Sequence, residues 1–83
     1  MTTKQKLDFL GEQYPDSLTA DGLDNAIVGF CASSGIVIYD YDKCLKIFMD
    51  RDNMDYETAQ EHMEFNVVCA YVGDLTPIFI HKL

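Results

Sequence analysis

Cations are scarce in this chain. Six lysines and arginines face fourteen aspartates and glutamates, a formal charge of −8 at neutral pH, and such a surface repels phosphate backbones and anionic lipid headgroups alike. Direct binding to nucleic acid or to a membrane is therefore not expected. No run of about 18 apolar residues is present, and the opening MTTKQKLDFLGEQYPDS has no hydrophobic region of the signal-peptide kind. A soluble, cytosolic protein is predicted. The three cysteines, Cys31, Cys44 and Cys69, form no metal-ligand spacing, and an odd count among apolar neighbours predicts reduced core thiols rather than a disulfide framework. Also missing are a glycine-rich phosphate loop, an HExxH pair and a paired-cysteine motif. His62 and His81, the only histidines, do not stand at a spacing that suggests a nucleophile relay. The expectation is a protein that is not an enzyme and needs no cofactor.

What the chain does have is enough apolar material to fold. Residues of apolar type, tyrosine included, make up 48% and aromatics 12%, well above the content of disordered segments. A length of 83 residues predicts a single domain over 1–83. Such a domain buries only about 60% of its unfolded surface, so the core is thin and a second copy of the chain is one way to cover more of it.

The patterning predicts an α+β fold. Leu7, Leu10 and Tyr14 mark a short amphipathic helix over 3–13, and the Pro-, Asp-, Gly- and Asn-rich stretch 15–25 reads as an exposed connection. Residues 23–31 fit either a helical stripe or a strand. The strand is preferred because Gly29 costs about 1 kcal/mol inside a helix and Ser33-Ser34-Gly35 makes a good turn. The hairpin is 26–32 with 36–39, and Ile36 to Tyr39, apolar throughout, suits a central strand. Asp40 is placed to cap a helix over 41–51, in which Asp42 and Lys46 stand four apart. Asp55 caps a second helix over 55–72 whose apolar end is closed by Gly73. A last strand, 77–81, follows Pro77 and completes a small antiparallel sheet of about three strands. Asn66, on the apolar stripe between Phe65 and Val67, is predicted to be a buried amide that fixes the helix register.

Negative charge concentrates in DRDNMDYETAQEHME. Residues 50–64 hold six acids, Asp50, Asp52, Asp55, Glu57, Glu61 and Glu64, against Arg51, a local net of −5. Alignment to a calcium loop puts Asp50, Asp52 and Glu61 at the first, third and last ligand positions. It then fails at Met54, which has no side-chain oxygen, and at Asp55, where the loop needs glycine. Mimicry of DNA is weak as well: seven residues of helix rise about 10 Å, over which duplex DNA carries roughly six charges against the three of Glu57, Glu61 and Glu64. The six carboxylates remain a candidate docking face for a basic protein surface.

The combination YDYDKCLKIFMDRD, MDYETAQEHMEFN and AYVGDLTPIFI resembles a family of small proteins encoded mostly by tailed bacteriophages and prophages. The resemblance rests on Tyr39, Asp40, Lys43, Asp52, Ala59, Glu61, Glu64, Phe65, Asn66, Gly73, Thr76, Pro77 and Phe79. It covers about residues 21–80 and departs from the pattern at Cys69 and at Asn53-Met54. It implies a lineage and a bacterial host cell, with no catalytic role. The function expected is that of an acidic accessory protein that acts by binding a host or phage protein, inhibition being one form that action can take. A structural or assembly component of the virion is the alternative, and a divalent-metal-binding protein a distant third.

Overall fold

The computed structural model describes residues 2–20, 22–68 and 73–83. Helix α1, Thr3–Gln13, starts at a reciprocal cap: the Thr2 hydroxyl accepts from the Gln5 backbone N–H while the Gln5 side chain accepts from the Thr2 N–H. A single 3-10 turn at Asp24–Ala26 leads into strand β1, Ile27–Phe30, and the hairpin returns as β2, Val37–Asp40. Helix α2, Tyr41–Arg51, follows without a loop, because Asp40 is both the last strand residue and the helix cap, accepting from the backbone N–H of Asp42 and Lys43. Helix α3, Tyr56–His62, continues as a π-helical segment, Met63–Val68, and strand β3 is Ile78–Ile80.

The α+β class and the three-stranded sheet are as predicted, with β2 central in the order β1-β2-β3. The sheet is mixed, however, and not antiparallel throughout. β1 pairs antiparallel with β2, but β3 runs parallel to β2 with Ile38 opposite Ile78 and Asp40 opposite Ile80. The physical reason is the long crossover through α2 and α3, the kind of connection that parallel strands require. Strand β1 is also shorter than 26–32 and slips register between Ile27 and Gly29, a bulge at the position where glycine weakens a strand.

One core cluster joins the layers. Tyr39 is fully buried on β2, stacked on Phe79 of β3 at 5.1 Å, and its hydroxyl accepts from the Ala20 backbone N–H at 2.7 Å. Leu23, Ala26, Val37, Cys44, Leu45, Phe48, Ala59 and Met63 are buried around it. The connection 15–25 is thus not wholly exposed, since Leu23 is one of the most deeply buried side chains. The hairpin turn is fixed from outside itself: Gly35 has φ +78°, and a Cβ there would run into the Tyr14 ring. Tyr14 donates to the Ala32 carbonyl and Ser17 to that of Gly35, so the end of α1 and the turn hold one another.

The C-terminal residues are also engaged. Parallel pairing of β3 beside the start of α2 sets the His81 ring 4.3 Å from that of Tyr41 and the His81 Nδ1 3.9 Å from Asp42. Lys82 lies 3.7 Å from the capping Asp40. Asp42 thus meets His81, and no ion pair with Lys46 forms among the described residues.

Candidate protein-docking site

All six acids of the run 50–64 are exposed, but they do not carry equal work. Asp52 is held by Arg51, Nε to Oδ1 at 3.2 Å and the terminal nitrogen to Oδ2 at 3.0 Å. That hydrogen-bonded pairing keeps its carboxyl below the usual range. Arg51 in turn donates to the Gly22 carbonyl and lies over the Phe48 ring, so the guanidinium ties the connection to the end of α2. Asp55 caps α3, accepting from the Thr58 backbone N–H at 2.8 Å, and this bond lowers its pKa as well. Glu64 accepts from the Tyr41 hydroxyl at 2.7 Å. Burial first, and this bond to Glu64 second, push the Tyr41 phenol up to about 12.

Asp50, Glu57 and Glu61 remain, with no hydrogen bond or ion pair among the described residues. Glu57 and Glu61 stand four apart on the outer face of α3, where α-helical spacing makes them neighbours. The run therefore divides into carboxylates that the fold uses and carboxylates left uncommitted among the described residues. No group of three or more His, Cys, Asp or Glu side chains among the described residues is placed to share a metal ion, and no helix among them is long and apolar enough to cross a membrane.

The segment after α3 differs from the predicted continuous helix over 55–72. From Met63 to Val68 the chain is π-helical, and each turn takes in more residues than an α-helix does. Three residues beyond the buried Met63 no longer come round to the core. Asn66 is accordingly exposed instead of buried, with its amide nitrogen 3.4 Å from His62 Nδ1, and it does not act as a core amide. Val67 is half-buried against the core, Val68 is 39% exposed and Phe65 is 77% exposed. The expected burial of Cys69 and Ala70, and the helix end before Gly73, fall on residues 69–72, outside the described residues. Gly73 itself has φ +115°, and its carbonyl accepts from both the backbone N–H and the hydroxyl of Thr76.

Phe65 is the residue that the charge pattern left out. Its signal was present in the sequence, four residues after Glu61 and eight after Glu57, the spacing of the polar face and not of the buried stripe. Beneath this outer face His62 packs edge-on against Phe48 at 4.6 Å. It helps line a cleft of about 360 Å³ with Leu23, Arg51, Val67 and Phe79.

The cysteines divide. Cys44 is buried, and desolvation pushes its thiol up to about 12. Cys31 is half-buried in the hairpin turn rather than in the core. Its Sγ lies 3.3 Å from the Ser33 hydroxyl, and hydrogen bonds from Ser33 and then Ser34 lower its pKa from the ordinary 9.0 to about 6. The lowered value makes the thiolate, the reactive form, dominant at neutral pH. Iodoacetamide modification followed residue by residue from about pH 5 to about pH 9 should show Cys31 reacting with a midpoint near 6 and Cys44 inert until unfolding. Ser33→Ala should move the Cys31 midpoint upward; an unmoved midpoint contradicts the assignment.

Comparison of the chain with protein-family models, with curated proteins and with solved structures gives no match.

Proposed function

We propose that this protein is a non-enzymatic accessory protein of the phage type that acts in a bacterial cell by binding another protein through the carboxylate face of α2 and α3. The observation that carries the reading is the division of labour among the six acids. Asp52, Asp55 and Glu64 are used within the fold, whereas Asp50, Glu57 and Glu61 are exposed with no hydrogen bond or ion pair among the described residues. Like charges four apart on a helix cost a few tenths of a kcal/mol, so the arrangement works against α3 itself and gains from a cationic surface brought against it. The same charge disfavours nucleic acid and anionic lipid as partners.

The test compares the wild-type chain with Asp50→Lys/Glu57→Lys/Glu61→Lys as baits in bacterial lysate, each at low and at raised salt. The expected result is a basic protein retained by the wild-type chain, released at raised salt, and lost from the charge-reversed bait. The same proteins recovered by both baits would contradict the proposal.

A further inference from the structure

Exposed apolar side chains stand in the same face as the uncommitted carboxylates. Phe65 is 77% exposed and Val68 39%. They occupy the outer side of one continuous helical stretch, with Glu57, Glu61 and Glu64 alongside. From Glu57 to Val68 this strip runs about 17 Å, some three helical turns. Spacing turns Phe65 outward: it follows buried Met63 by two and precedes half-buried Val67 by two, and it stands four residues after Glu61 on the polar side. A ring so exposed gains nothing from folding, while aromatic residues ringed by polar groups are the usual anchors of protein interfaces.

Charge decides what covers the strip. A second copy related by a two-fold axis would set Glu57 and Glu61 against the same carboxylates, and an anionic membrane meets the same repulsion. A partner with apolar side chains down its middle and cations on its flanks meets both features at once.

Building on the reading of the carboxylate face as a docking surface, we infer that its occupant is a cationic amphipathic helix of about three turns. Its apolar stripe covers Phe65 and Val68, and its flanking lysines or arginines meet Glu57 and Glu61. Phe65 is then the anchor, and the carboxylates set orientation and salt dependence.

The probe is a synthetic Leu/Lys peptide patterned as an amphipathic helix of about four turns, beside a scrambled peptide of the same composition and an apolar-matched Leu/Glu peptide. Affinities are measured for the wild-type chain, Phe65→Ser and Glu57→Gln/Glu61→Gln. Phe65 is exposed and neither glutamate has a hydrogen bond or ion pair among the described residues, so unchanged circular dichroism checks that each variant is folded. The expected result is binding of the patterned peptide, with chemical-shift changes centred on 56–68. It should weaken about tenfold in Phe65→Ser and in the Gln variant, with no binding of the Leu/Glu peptide. Equal affinity for patterned and scrambled peptides, or an unchanged affinity in Phe65→Ser, overturns the helix-and-anchor inference while leaving the acidic docking reading intact. Failure of every cationic peptide to bind overturns both.

Discussion

Tyr39→Ala should leave the chain largely unfolded at room temperature. Tyr39 is fully buried at the centre of the sheet, stacked on Phe79, with its hydroxyl bonded to the Ala20 N–H. Truncating a buried aromatic costs about 3–5 kcal/mol through lost transfer energy and the cavity left behind. A domain of about this size has a total stability of roughly the same magnitude. Three parts of the chain lose a common neighbour: β3 loses its stacking partner, the connection loses the acceptor for Ala20, and the hairpin loses its central side chain. Tyr39→Phe separates the ring from the hydroxyl. It should fold but lose about 1–2 kcal/mol, because the Ala20 N–H is left without this acceptor. Urea denaturation followed by circular dichroism measures both. A Tyr39→Ala chain with a wild-type midpoint would mean that β3 and the connection are not packed on β2 as described.

The second large effect is a contrast between near neighbours. Met63→Ala should cost about 2–5 kcal/mol, since Met63 is fully buried. Phe65→Ser and Asn66→Ala should each change stability by less than about 0.5 kcal/mol, as exposed positions do. A regular α-helix carrying the stripe from Ala59 through Met63 would give a different order, with Asn66 turned inward and its substitution costly. The three denaturation midpoints therefore report directly on the π-helical winding. A destabilising Asn66→Ala together with a neutral Met63→Ala would contradict it.

Local signals made part of this fold legible. The span 41–51 was readable because Asp40 supplies a cap and Cys44, Leu45 and Phe48 supply a broad apolar face, and α2 has those bounds. The Asp55 cap, three residues before its donor Thr58, was readable for the same reason. The hairpin could be placed from Gly35, whose positive φ suits a turn.

Features that depend on distant parts of the chain were not legible. Parallel pairing of β3 depends on how α2 and α3 carry the chain back across the sheet, which no local pattern records. Leu23 lies in a stretch of turn-forming residues and is buried only because the core cluster, contributed by distant parts of the chain, closes over it. In FNVVCAYV the side chains are apolar nearly all round, so the sequence offers no contrast from which to tell a π-helical turn from an α-helical one. The stripe pattern therefore points Asn66 to the wrong side. The exposure of the six acids followed from charge alone. Which of them the fold already uses was legible only where the partner is local, as for Asp55 with Thr58 and Asp52 with its neighbour Arg51; Tyr41 reaching Glu64 across 23 positions is a tertiary contact that no local pattern records.

The docking face depends on the orientation of the helical stretch 56–68, with Ala59 and Met63 inward and Glu57, Glu61 and Phe65 outward. Hydroxyl-radical footprinting of the intact chain, read residue by residue by mass spectrometry, tests this most directly, since methionine is intrinsically the more reactive side chain of the pair that matters. The predicted result is rapid labelling of Phe65 and protection of Met63 until the chain is unfolded. Rapid labelling of Met63 with Phe65 protected would contradict the orientation, and with it the docking face.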